Sequence, residues 1–151
     1  HLSIRRQRQM CIRDSPLKNV SWDNAKSKCE ADGKRLCTEE EWEKACKGGK
    51  NLRFPYGNEW NAQKCNTQDS AGEKRSLAPS GSFAACRSGY EVFDMSGNLR
   101  EWTSSRFSAT LEDKVVRGGS WASSDWASRC AYRYNALPHT KDEETGFRCC
   151  K

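Results

Sequence analysis

No stretch of this 151-residue chain approaches the roughly 18 consecutive apolar residues of a membrane-spanning helix. The sequence therefore predicts no membrane span. Histidine is nearly missing: His1 and His139 are the only two. No C-x-x-C pair occurs either. Together these absences argue against a zinc centre and against an iron site built from two histidines and a carboxylate. No fixed-period repeat is present, since the three Glu-Trp and two Ser-Trp dipeptides share no spacing, and a solenoid or propeller is excluded. Apolar residues are scarce, at 35% against 30% charged, which points to one polar, loop-rich domain rather than a long helix bundle. Six tryptophans are there to compensate, because each buries a large area from a small apolar share.

Residues 1–15, HLSIRRQRQMCIRDS, differ from the rest. They hold four arginines and one acid, and no apolar core of a secretion signal. The run MCIRDS resembles one reading frame of a sequencing-library adapter. Residues 1–15 are thus expected to be a non-native, adapter-derived segment, and 16–151 a fragment, the C-terminal part of one domain. The alternative is a native basic arm. Outside the segment, 22 basic and 19 acidic side chains leave +3 in place of +6. That is too little charge to argue for nucleic acid as a partner.

Nine cysteines are an odd set, but Cys11 lies in the suspect segment. The other eight, Cys29, Cys37, Cys46, Cys65, Cys86, Cys130, Cys149 and Cys150, are even in number and dispersed. Dispersed even cysteines indicate disulfides, and so an oxidising compartment, extracellular or periplasmic. Spacing alone leaves on the order of 100 pairings open.

Ser21 reads as an N-cap, with Trp22, Ala25 and Cys29 on one helical face and Gly33 as the stop. Thr38 and Glu41 form a capping box for a second helix. It carries Trp42, Ala45 and Cys46 inward and ends at Gly48-Gly49. Residues 50–87 are irregular, with turn signals in FPYGNEW, QDSAGEKR and APSGS. VVRGGSW, RCAYRY and GFRCC read as short strands. Trp22, Trp42, Trp102 and Trp121 are expected in the core, and Trp126 in an exposed loop.

The segments NVSWDNAKSKCEADGKRLCTEEEWEKACKGG, FPYGNEW, DMSGNLREWTSS, VVRGGSW, RCAYR and GFRC occur in this order. In that order they resemble the formylglycine-generating enzyme (sulfatase-modifying factor) family. The resemblance runs from Pro16 to Lys151 and implies an α+β, irregular C-type-lectin-like fold, low in regular secondary structure and stapled by disulfides. It also implies two bridges, Cys46–Cys130 and Cys29–Cys149. Three pairings remain for the other four cysteines. Cys65–Cys86 with Cys37–Cys150 is favoured: the first closes a loop in the irregular middle, and neighbours on a strand such as Cys149 and Cys150 face opposite ways.

Active members of the family oxidise a sulfatase cysteine to formylglycine with oxygen and copper, held by two cysteines in the loop after the Gly-Gly-Ser element. Cu(I) prefers such soft thiolates. Here the corresponding loop, WASSDWASR, contains Ser123, Ser124 and Asp125 and no cysteine. Copper is therefore not expected, no catalytic residue is assigned, and Cys130 is expected in a disulfide.

Calcium is the expected cofactor. Asp94 and Glu101 offer carboxylates around Gly97, a pattern that equally suits a turn cap or pairing with arginine. The resemblance implies ligation by Asp94, Gly97, Leu99 and Glu101, the middle two through carbonyls. It implies a second site at Asn66 and the carbonyl of Thr67, with Asp69 as a further acid. The expected function is a non-oxidase, secreted, calcium-stabilised binding scaffold for a protein, peptide or glycan. Ser123, Ser124, Asp125 and Trp126, with the stretch from Leu137 to Glu144, form its candidate surface. The alternatives are an active oxidase or related metal-dependent oxidoreductase in a longer protein, and a lectin-type ligand-display module.

Overall fold

The computed structural model describes residues 4–5 and 16–151. Its elements, in chain order, are β1 (Ile4–Arg5), α1 (Trp22–Ala31), β2 (Arg35–Leu36), α2 (Glu39–Lys47), β3 (Arg100–Arg106), β4 (Lys114–Arg117), a 3-10 turn (Trp126–Ser128), β5 (Tyr134–Ala136), β6 (Thr145–Phe147) and β7 (Cys149–Cys150). The expectation that residues 1–15 are foreign to the fold, and Cys11 with it, lies mostly outside the described residues. The backbone of Ile4–Arg5 pairs antiparallel with Cys149–Cys150.

Both helices begin where the sequence offers a cap. The Ser21 hydroxyl accepts from the Asn24 N–H. Thr38 and Glu41 close a reciprocal capping box, satisfying two otherwise orphaned N–H groups. Acidic residues Glu39, Glu40 and Glu41 in the first turn of α2, and Lys44 and Lys47 in the last, complement the helix dipole.

Two small sheets carry the rest. One runs β1-β7-β2; the other runs β5-β4-β3-β6, with β3 and β6 parallel. The longest strand, β3, begins at the end of the stretch, Asp94 to Glu101, read from sequence as a metal site. Its burial pattern is not alternating: Glu101, Trp102 and Thr103 are all buried. Without period-2 alternation the strand signal is weak.

One core unites Ala25 and Cys29 of α1 with Leu36, Trp102, Val116, Phe147 and Cys149. A second unites Trp42, Ala45 and Cys46 of α2 with Val92, Met95 and Cys130. Four disulfides cross the chain: Cys29–Cys149, Cys37–Cys150, Cys46–Cys130 and Cys65–Cys86. Three of them close separations of 120, 113 and 84 residues. A bridge over ~100 residues removes several kcal/mol of unfolded-chain entropy.

Candidate functional site

Cys130 is fully buried and bonded to Cys46. Its N–H donates to the Arg53 carbonyl, and its own carbonyl accepts from Arg117 Nη1 at 2.7 Å. All eight cysteines among the described residues are disulfide-bonded, so none offers a thiolate.

The loop after Gly118-Gly119 is tied by hydroxyls. Ser120 is fully buried, and its Oγ donates to Glu144 Oε1 at 2.6 Å. The Ser120 N–H donates to Ser123 Oγ at 2.8 Å, and the Ala122 N–H to Ser120 Oγ at 3.1 Å. The Ser120–Glu144 bond ties the start of this loop to the end of the Leu137–Glu144 stretch. Asp125 accepts from Arg129 Nε, and that guanidinium lies over the ring of Trp126, which is 66% exposed. Trp121 Nε1 is buried with no acceptor. This donor set is oxygen, indole and guanidinium, and it does not fit Cu(I).

The two stretches expected to hold calcium lie against each other. Asn66 and Gly97 form an isolated bridge, and the Asn98 N–H donates to the Asn66 carbonyl at 2.8 Å. A Cβ on Gly97 would stand 2.3 Å from that carbonyl oxygen, and Gly97 has φ +77°. Only glycine permits this crossing. The Asn98 side-chain amide also ties in Asn66 and Ala78.

Glu101 does not turn toward an ion. Its Oε1 accepts from Trp42 Nε1 at 2.7 Å and Arg148 Nε at 2.9 Å, and Oε2 accepts from Arg148 Nη2 at 3.0 Å. Both partners of the pair are buried. Burial alone would lower the Arg148 pKa, but the charges of Glu101 and Asp94 outweigh it and raise it. Asp94 Oδ2 accepts from the Gly81 N–H at 2.8 Å. A guanidinium thus serves as the cation beside these two carboxylates, and the set Asp94, Gly97, Leu99 and Glu101 does not fit calcium at Glu101. In the second set, the Thr67 carbonyl accepts from Arg75 Nη1 at 3.0 Å, together with those of Ala62 and Cys65. Asp69 Oδ1 caps its own turn through the Ala71 and Glu73 N–H groups. Within the second set, Asn66 Oδ1 is left open to a cation. It is the one buried side-chain acceptor without a donor among the described residues.

Sequence reasoning offered Arg117 or Arg133 as a partner of Glu101; the structure gives that role to Arg148 and sets the other two on carboxylates of α2. Arg117 Nη2 bonds Glu39 at 2.7 Å and Glu43 at 2.9 Å, and Arg133 chelates Glu39. Burial pushes the Glu39 carboxyl up, but its bonds to Arg133 and Arg117 win and hold it below the usual range. The available signal was the pair of arginines inside otherwise apolar strands, VVR and GFR.

A disulfide-stapled lectin-like fold whose Gly-Gly-Ser loop sits on Glu144 defines the class, and the comparisons agree. The model of the sulfatase-modifying factor enzyme 1-like domain matches residues 3–151, and the chain belongs to that family. It is 34% identical over 148 residues to the inactive C-alpha-formylglycine-generating enzyme 2 of Bos taurus, covering 89% of this chain and 49% of that protein. It is 32% identical over 165 residues to the formylglycine-generating enzyme of Bos taurus, covering 90% and 44%. The chain thus spans about half the length of these relatives. Among solved structures, Treponema denticola variable protein 1 superposes with a TM-score of 0.81 at 20% identity, covering 90% of this chain and 70% of that one, which shows the fold.

Proposed function

We propose that this chain is a formylglycine-generating-enzyme-like binding scaffold without oxidase activity, secreted or periplasmic, presenting the Ser123–Trp126 loop and the Leu137–Glu144 stretch to a ligand. One observation carries the reading: the cysteines of residues 16–151 are all committed to disulfides, and the Gly-Gly-Ser loop supplies only hard or neutral donors. Copper catalysis needs two free thiolates at one point. The relative named as inactive is as similar as the one named as an enzyme. Four disulfides support an oxidising compartment.

Within the proposed surface, the exposed Trp126 ring offers an apolar face to a partner. Calcium enters this reading at Asn66 Oδ1, where a cation would meet an acceptor that has no other partner. A chelator that lowers the melting temperature, and calcium that restores it, would establish that role. The functional test loads the chain with copper and offers a sulfatase-type peptide bearing the target cysteine. The expected result is an intact peptide cysteine. Aldehyde above the protein-free background would establish the alternative, an oxidase.

A further inference from the structure

Where α2 ends, the chain turns through Gly48 and Gly49 and meets the loop 84–90. An added Cβ on Gly48 would lie 3.2 Å from the Gly89 nitrogen, so the two turns are in backbone contact. Around this contact opens a cleft of about 580 Å³, walled by Lys47, Lys50, Lys64, Arg87, Tyr56 and Tyr90. Its volume lies in the ~300–1,000 Å³ range of small-ligand sites. Among the described residues, no carboxylate lines it.

The four cations are not equally available. Lys47 is paired with Glu43 at 2.7 Å, toward an adjoining hollow that Glu40 and Glu43 line. Lys50 is exposed and makes no ion pair among the described residues. Lys64 lies over the Tyr56 ring at 5.6 Å, which leaves its charge without a carboxylate. Arg87 is 53% exposed and has only Glu91, itself 81% exposed, at 4.0 Å. Three cations therefore face one cleft with little neutralisation, which is electrostatically unfavourable until an anion enters. Tyr90, 48% exposed, adds an aromatic face, and Tyr56 stacks flat on Phe54. Aromatic faces beside cations suit a ligand with flat apolar C–H surfaces and several negative groups.

We infer that this cleft binds a sulfated or carboxylated oligosaccharide, with Lys50, Lys64 and Arg87 on the anionic groups and Tyr90 against a sugar face. It shares no lining residue with the Ser123–Trp126 loop, so the inference stands apart from the function proposed above.

Calorimetric titration with a heparin-derived tetrasaccharide, at about 50 and about 300 mM salt, tests it. Saturable binding that weakens with salt is expected. Lys50→Glu with Arg87→Glu, both at exposed positions, should weaken binding by about tenfold or more. The same charge change at Lys28 and Lys34, outside the cleft, should weaken it less than about threefold. Equal loss in both double variants, or no binding by the chain at all, overturns the site. Equal affinity for a neutral oligosaccharide of the same length, or for an oligo-aspartate peptide, overturns the ligand class. Circular dichroism melts of each variant confirm that the fold is retained.

Discussion

Two regions of this molecule bury charge in opposite ways. Around α2, β3 and β4, each buried arginine meets a carboxylate: Arg148 with Glu101, and Arg117 with Glu39 and Glu43. In the irregular middle, Arg75 meets no carboxylate. Its Nη1 gathers the carbonyls of Ala62, Cys65 and Thr67, and its guanidinium lies over Phe83. Regular elements satisfy their own backbone, so their side chains are left to pair with one another. A loop leaves carbonyls unpaired, and a cation inside it serves the backbone. The same residue type thus holds two layers in one region and folds a loop in the other.

The largest effect is expected where a buried charge loses its partner. Arg148→Met leaves Glu101 ionised in the core and should destabilise by about 3–5 kcal/mol in urea unfolding. A loss below ~1 kcal/mol would mean that Glu101 takes another partner. Next come the disulfides, which sharpen the contrast by loop length. Cys46→Ser with Cys130→Ser, spanning 84 residues, should cost about 2–5 kcal/mol. Cys65→Ser with Cys86→Ser, spanning 21, should cost less, because the shorter loop constrains the unfolded chain less. Reversed order would place the stability in the middle region.

Arg75→Met strands its carbonyls and should cost about 1–3 kcal/mol. Its signature is local: faster amide exchange over residues 62–78, with α1 and α2 protected. The smallest effect is acid sensitivity. The Arg35 guanidinium holds the Glu41 carboxyl down to about 2. Because the folded value lies below the unfolded one, near 4.5, this contribution is present above about pH 4.5. It is lost as pH falls toward about 2. Arg35→Gln should flatten the acid limb of thermal melts in that window, and an unchanged limb would remove Glu41 from the acid response.

The helices were legible because their caps and inward faces are local: Ser21 and Thr38, then Trp42, Ala45 and Cys46. The two core-spanning bridges Cys46–Cys130 and Cys29–Cys149 came from family resemblance, since spacing alone leaves the partners open. Strand β3 was hidden because consecutive residues are buried rather than alternate ones. The role of Glu101 was hidden for a different reason. A carboxylate near a glycine turn suits a cation equally well whether the cation is a metal or a guanidinium, and Arg148 is 47 residues away in sequence. Likewise the meeting of Asn66 with Gly97 depends on a close backbone crossing that no periodicity marks.

The proposal that the described residues hold no soft metal site rests on Cys130 being bound to Cys46 and on Ser123 and Asp125 standing in the loop after Gly118-Gly119. Titrating the oxidised Cys11→Ser chain with Cu(I), against a chromophoric Cu(I) chelator, measures this directly. No copper should transfer from the chelator, and the titration should match a protein-free blank. Stoichiometric removal of one Cu(I) per chain would contradict it, showing that a thiolate pair forms in the folded protein.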